Sequence, residues 1–512
     1  MKKFFSSTLS RVLVAALLML LQLAVLMLML LVFDEYYVFF SAISIVVSTV
    51  TVLYIVGCGS HPAYKIAWII VVMLLPIFGG LFYVLFGRSH LTRRECGRLA
   101  RIGESYERMV WDDEGAVDAL EAASRDAAIQ SNYLRRAANA PVFRRTEVEF
   151  LPIGEAMYAR MMEELEKAEK FIFLEYFIIQ AGVMWDPMLA LLERKAAAGV
   201  DVRVLYDDLG CLFTLPKDYD RQLEARGIKA CIFNKFKPSL NSRFNNRDHR
   251  KICVVDGNVG FTGGINLADE YINAYAKHGH WLDCGVLLRG DAVRGLTALY
   301  LSMWDFLRGE ADDDFTAFAP DPALVASVRG EGFAQPFTDM PLDDETVGET
   351  VYMNILGRAR DYVYICTPYL IIDNEMITAL TTAAKSGIDV RLMTPHIPDK
   401  KIVFAMTRSN YKPLLEAGVK IYEYTPGFVH SKTFVCDDSV GVVGSINLDY
   451  RSLFLHFECG VWLYGCAALR DIKANYLENL EKCQEIDLAW YRKLPWYSRA
   501  VSWLLRAFAP LL

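Results

Sequence analysis

The chain has 512 residues, enough for more than one domain, and 54% of them are hydrophobic, a share that points to a membrane part. Its net charge of −7 argues against a nucleic-acid surface as its main business. The 11 cysteines form no C-x-x-C pair, and Cys253 and Cys436 sit inside apolar runs. Buried reduced thiols in a cytosolic domain follow, rather than disulfides or a metal site.

Residues 12–33 are an almost unbroken run of Leu, Val, Ala and Met, long enough to span a bilayer. The run is too long for a signal peptide, and no small-residue cleavage site precedes Asp34. Residues 36–56 form a second candidate span, and residues 66–86 a third that Pro76, Gly79 and Gly80 interrupt. Lys2, Lys3 and Arg11 flank one end of this 1–90 membrane region; Arg88, Arg93, Arg94, Arg98 and Arg101 follow the other. The positive-inside tendency places both clusters in the cytoplasm. Two full spans with a re-entrant or interfacial third segment satisfy it; three full spans require one cluster to be overruled.

Residues 91–141, rich in Ala, Glu and Arg, read as a helical connector. A first half over 142–308 begins with an amphipathic helix at 155–170 and a strand at 171–178. A helix at 187–198, a turn at Gly199 and a strand at 200–206 complete a βαβ order. The second half, 347–487, repeats it with a strand at 363–366, a helix at 374–385 and a strand at 388–393. Gly199-Val-Asp-Val-Arg203 and Gly387-Ile-Asp-Val-Arg391 are near copies, which implies duplicated α/β domains rather than a solenoid. The acidic, proline-containing stretch 309–346 reads as the linker. In the tail, 488–512, Tyr497, Val501, Leu504, Leu505 and Phe508 share a helical face opposite Arg499 and Arg506. That face suits either an anionic bilayer surface or the domain core.

Each half carries the pattern H-x-K-x4-D followed by a glycine turn and an Asn. The first copy is His249, Lys251, Asp256, then Gly263-Gly264-Ile265-Asn266; the second is His430, Lys432, Asp437, then Gly444-Ser445-Ile446-Asn447. Alternation along a strand points His and Lys the same way. The Asp falls on the opposite parity, which assigns it a structural part at the strand end within the catalytic motif. The glycine turn delivers Asn266 or Asn447 towards the same side. Two His, two Lys and two Asn suit a phosphodiester: cations and amides for the oxygens, one His to attack phosphorus, the other to protonate the leaving oxygen. His278 and His280 make a weak metal pair and read as loop residues. His61, His90, His396 and His456 have no supporting pattern.

The paired motifs resemble the phospholipase D superfamily. Asn-Arg-Asp-His-Arg-Lys at 246–251, Pro-Gly-Phe-Val-His-Ser-Lys at 426–432 and the run from Asn447 to Glu458 are similar to bacterial cardiolipin synthases. The resemblance implies two duplicated phospholipase D-like domains sharing one active site, preceded by transmembrane helices. It implies a multi-pass bacterial membrane enzyme with cytoplasmic catalytic domains. That enzyme would transfer a phosphatidyl group between two phosphatidylglycerols through phosphohistidine, among anionic lipids and without nucleic acid, cofactor or metal; the alternative is a phospholipase D or other phosphatidyltransferase that uses water or another alcohol as acceptor. In related enzymes a Glu downstream of the motif orients the His. Glu458 takes that place behind His430 and Asp283 behind His249, while Leu282 departs from the Arg or Lys more usual there. The more usual order makes His249 the nucleophile and His430 the general acid and base.

Overall fold

The computed structural model describes residues 34–495 apart from 60, 76–77, 88–92, 111–113, 236–245, 310–314 and 343–344, with a few positions beyond either end. The expected span at 12–33 and the amphipathic tail after 495 therefore lie largely outside the described residues. The chain divides into two compact units: residues 1–91 with 236–246 and 507–512, and residues 92–235 with 247–506.

In the first unit, one helix among the described residues, within Asp34–Gly57, is long and apolar enough to cross a membrane. The third apolar segment holds two shorter helices, Pro62–Leu74 and Phe78–Phe86. His61 caps the former by accepting a hydrogen bond from the Ala63 amide at 3.3 Å, with Pro62 in the first turn. Ile55, Trp68, Val72 and Tyr83 form a small apolar centre between the three helices.

Among the described residues, the second unit holds two large sheets and two small two-stranded ones. The first comprises β1 (Thr146–Leu151), β2 (Phe171–Tyr176), β3 (Asp201–Asp207), β4 (Lys229–Phe233), β5 (Ile252–Val255), β6 (Val259–Gly263) and β8 (Gly285–Gly290), with the short β7 (His280–Leu282) outside it. The second comprises β9 (Phe333–Asp339), β10 (Tyr362–Cys366), β12 (Asp389–Pro395), β13 (Lys420–Tyr424), β15 (Thr433–Cys436), β16 (Val440–Gly444), β18 (Glu458–Tyr464) and β19 (Cys483–Ile486). The short β11 (Leu370–Ile371), β14 (Gly427–Val429) and β17 (Leu448–Asp449) lie apart.

The strand orders express the duplication. The first sheet runs β1-β8-β6-β5-β2-β3-β4, and the second, read from its β9 edge, runs β9-β18-β16-β15-β10-β12-β13-β19. In each, the motif strand (β5 or β15) pairs antiparallel with the first strand of the βαβ unit and with the strand after it. The copied Gly199 and Gly387 have φ of +94° in both halves, at the turn entering β3 and β12.

The 309–346 linker is shorter than its composition suggests, because Phe333–Asp339 forms β9 and pairs along its length with β18. Pro336 is tolerated there because β9 is an edge strand. The connector is also more than a tether: it forms helices Arg93–Val110, Glu114–Ala123 and Arg125–Ala137. Ala116, Leu120, Ala127, Ala128 and Leu134 join the core of the second half. Gln130 accepts a hydrogen bond from the Trp462 indole at 3.0 Å.

Each half has an apolar core of its own, and a third core draws on both, including Val254, Val286 and Leu288 from one and Val435, Val443 and Val461 from the other. Burial of this kind contributes roughly 25 cal/mol per Å² of apolar surface, which makes the halves mutually dependent. Cys253 and Cys436 are buried and free within these layers.

Candidate active site

Both motif histidines sit just before a strand rather than in it: β5 begins at Ile252 and β15 at Thr433. What holds them is pairing with the opposite half. The His249 amide donates to the Phe457 carbonyl at 2.9 Å, and the His430 amide donates to the Leu282 carbonyl at 2.7 Å. β14, which leads into His430, lies parallel to β7, with Val429 opposite Leu282. A Cβ on Gly427 would stand 2.0 Å from the His280 carbonyl oxygen, so this approach requires glycine. His280 accordingly opens a strand and is not a loop residue.

Each His is thereby set beside the carboxylate that follows its backbone partner. His249 Nδ1 lies 2.8 Å from Oε1 of Glu458, and His430 Nδ1 lies 2.6 Å from Oδ2 of Asp283. The pairing is crossed, whereas the expectation placed each carboxylate behind the His of its own half. A carboxylate only accepts, so each ring carries its proton on Nδ1 and leaves the Nε2 lone pair for chemistry.

The glycine turns serve these carboxylates. A Cβ on Gly264 would meet Asp283 Oδ1 at 2.1 Å; its counterpart Ser445 turns its hydroxyl to Glu458 instead. Glycine or serine at this position is thus decided by which carboxylate stands behind it.

His249 and His430 are 7% and 6% exposed, and Lys251 and Lys432 are buried with them. Lys251 donates to the His249 carbonyl; Lys432 donates to the His430 carbonyl and stands 2.8 Å from His430 Nδ1. Burial first, then Lys251, Lys432 and His430, hold His249 well below the usual imidazole range. Burial and Lys432 lower His430 to about 4, against the pull of Asp283. Burial likewise lowers Lys251 to about 8 and Lys432 to about 7. Burial alone would raise Asp283, but His430 and Lys432 outweigh it and hold the carboxyl below its ordinary value. Groups from both halves thus act on one another in a single site. With both imidazoles neutral, two ammoniums balance two carboxylates, and an entering monoanion is balanced when one imidazole takes up a proton. A unit charge 4 Å away contributes about 4 kcal/mol where the effective dielectric constant is about 20.

The remaining motif residues are support. Asp256 belongs to no reacting group: its carboxylate accepts from the amides of Glu169, Lys170 and Phe171 at 2.8, 2.7 and 2.8 Å. Asp437 does the same for Arg360, Asp361 and Tyr362 at 2.7, 3.0 and 2.9 Å. Both have positive φ, +53° and +51°, and bind the end of the motif strand to the start of its neighbour. Both stand at the strand end in the structural part that their parity implied.

Asn266 also works locally. Its Oδ1 accepts from the Ile178 amide at 3.1 Å, and its Nδ2 donates to the Tyr271 hydroxyl at 2.7 Å. Tyr271 in turn packs edge-on to His430, ring centroids 5.3 Å apart. Asn447 is buried, bonds Asp449, and leaves its Oδ1 without a hydrogen-bond partner. Arg250, between His249 and Lys251, pairs with buried Glu175 and with Asp248, whose backbone amide donates to Asp207 at 3.1 Å.

One residue at the site was missed by the sequence reading. His456 stands with its ring centroid 5.6 Å from that of His249 and its Nδ1 3.8 Å from Glu458 Oε1. Burial lowers it to about 3. Its place two residues before Glu458, in the bend that leads into β18, is the pattern that would have marked it.

The family described as "Cardiolipin synthase, PLD-like domain" matches residues 161–276 and 352–482, and "Phospholipase_D-nuclease N-terminal" matches 44–88. An uncharacterized protein of Streptococcus mutans is 42% identical over 90% of this chain and 99% of its own length. Cardiolipin synthases of Geobacillus kaustophilus and Alkalihalophilus pseudofirmus are 37% and 34% identical, each over 88% of this chain and 89% and 90% of their own lengths. Among solved structures, phosphatidylserine synthase of Haemophilus influenzae superposes with a TM-score of 0.53 at 16% identity, over 74% of this chain and 97% of its own. That likeness is one of fold.

Proposed function

Because the chain belongs to the cardiolipin synthase family of phospholipase D-like proteins, we propose that it is a membrane phosphatidyltransferase that converts two phosphatidylglycerols into cardiolipin and glycerol. The observation that carries the mechanism is the crossed pair of His–carboxylate contacts, which leaves both buried Nε2 atoms free for chemistry in one site with two lysines. His249 is the nucleophile: burial and its cationic neighbours keep it unprotonated. His430 is the acid and base, since Asp283 draws it back towards protonation.

In the first step Nε2 of His249 attacks the donor phosphorus. The P–N bond forms as the P–O bond to glycerol breaks, and His430, which takes up a proton on Nε2 when the anionic phosphodiester binds, gives that proton to the leaving oxygen. In the second step the terminal hydroxyl of another phosphatidylglycerol attacks phosphorus, passes its proton to His430 and releases His249. Lys251 and Lys432 hold the phosphoryl oxygens, with the buried Asn447 amide beside them. One phosphodiester replaces another of similar energy, so no nucleotide is needed, and the lysines take the electrostatic part that a metal ion plays in other phosphoryl transfers.

The apolar helix Asp34–Gly57 and the match of the N-terminal family to 44–88 support a membrane anchor. The arginines at 88–101 support a bacterial membrane protein whose catalytic halves are cytoplasmic, with more than one pass. The test is to incubate the purified protein in detergent with phosphatidylglycerol and chromatograph lipids and released glycerol. Cardiolipin and glycerol in equal amounts are expected; phosphatidic acid in place of cardiolipin would make the enzyme a hydrolase.

A further inference from the structure

We propose that His456, His249 and Glu458 form an inhibitory site for a borderline divalent transition-metal ion of the Zn²⁺ type. One ligand atom from each residue lies within 4.8 Å of the others. Glu458 Oε1 is shared: it stands 2.8 Å from His249 Nδ1 and 3.8 Å from His456 Nδ1. Two imidazoles and a carboxylate, with a fourth position open, are the donor set of many Zn²⁺ sites and suit Co²⁺, Ni²⁺ and Cu²⁺ as well. They do not suit Mg²⁺ or Ca²⁺, which take oxygen.

A second observation points the same way. Both ring nitrogens of His456 are buried with no hydrogen-bond partner. A buried imidazole is ordinarily satisfied, and this one is unsatisfied beside a carboxylate oxygen it does not reach. The other half lacks the arrangement. Counted back from its carboxylate, the residue matching His456 is Trp281, two before Asp283, and its ring packs 5.3 Å from that of His430. The duplicated fold therefore supplies a third ligand on one side only.

The consequence lies in the tautomer. An ion on Nδ1 of His249 takes the place of the proton that Nδ1 donates to Glu458, and the ring's one proton then resides on Nε2. Nε2 has no lone pair left to attack phosphorus. Inhibition follows from chelation alone, with no redox step and no covalent change.

The inhibitory half of the proposal rests on His249 being the nucleophile; the binding half does not, so the two are read separately. Purified full-length protein in detergent is stripped with EDTA and titrated with Co²⁺ and, calorimetrically, with Zn²⁺. Visible absorption typical of tetrahedral Co²⁺ and a stoichiometry of one are expected. His456→Phe and His456→Gln should weaken both by at least the roughly 10–100-fold that even outer-shell changes cost. Their thermal melts, taken alongside, establish that they are folded. Cardiolipin formation by the wild type should fall with Zn²⁺ in step with binding and be untouched by equal Mg²⁺. Each variant, compared with its own metal-free rate, should resist Zn²⁺. Equal inhibition of wild type and folded variants, or no Co²⁺ spectrum, overturns the site. Binding through His456 with full activity overturns the inhibition and removes His249 as nucleophile.

Discussion

Asp283 Oδ2 lies 2.6 Å from Nδ1 of His430, although the two residues belong to different copies of the duplicated domain. The reciprocal contact, Glu458 to His249, completes an exchange in which neither half orients its own histidine. Asp283 follows Leu282, and Leu282 is the backbone partner of His430; Glu458 follows Phe457, the partner of His249. The crossing is a direct consequence of strand pairing between the halves.

The exchange predicts crossed phenotypes. Glu458→Gln should behave as a weakened His249 variant and slow formation of the histidine adduct. Asp283→Asn should behave as a weakened His430 variant and slow its protonation steps. Each loss should be roughly 10²–10⁴-fold, as for general acid–base groups. Single-turnover rates with phosphatidylglycerol and with a nitrophenyl phosphodiester separate the two, because only the former needs a protonated leaving group. Rescue of Asp283→Asn, and not of Glu458→Gln, by the nitrophenyl donor is expected.

Lys432 sets an alkaline limit. In the empty site it titrates at about 7, and it must be charged to receive a phosphodiester. kcat/KM should therefore fall as pH rises through about 7. A bound anion favours the ammonium, so kcat should hold to higher pH. Lys432→Arg should move the alkaline fall in kcat/KM up to about 8, where Lys251 titrates, whatever its absolute rate, since a guanidinium does not titrate there.

His430 sets an acid limit on stability. Its folded value of about 4 lies below the ordinary 6.5, so the unfolded chain binds more protons between those values. Its contribution is complete above about 6.5 and is lost as pH falls towards about 4. Urea midpoints should decline over that window, and His430→Asn should flatten the decline.

Asp256→Ala should cost stability and not chemistry. It strands three backbone amides, and the stranded groups cost about 1–3 kcal/mol. Asp437→Ala should cost less, because its partners are more exposed than those of Asp256. Thermal melts together with activity per folded molecule check both.

The arginines at 88–101 predict a cytoplasmic position for that segment. A single cysteine placed by Ser89→Cys should react with an impermeant thiol reagent only after intact cells are permeabilised. Prompt labelling from outside would reverse the orientation.

Local features were legible in the sequence. The H-x-K-x4-D spacing, the copied Gly-x-Asp-Val-Arg segments and the helix Asn374–Lys385 depend on near neighbours, and each lies where its pattern places it. The Asp256 and Asp437 clamps were foreshadowed by parity. What depended on distant pairing was not legible. β9 hides in an acidic stretch because Pro336 spoils a strand pattern everywhere except at an edge. The exchange of Asp283 and Glu458 and the approach of His456 to His249 arise only when two halves fold on each other.

The most direct test of the two-histidine site is mass spectrometry of the trapped adduct. His430→Ala, given a nitrophenyl phosphodiester, should accumulate a phosphoryl group on His249, since the leaving group needs no proton and the base for the second step is gone. His249→Ala should form no adduct with any donor. A phosphoryl group on His430 in the His249→Ala protein, or none on His249 in the His430→Ala protein, would contradict the assignment.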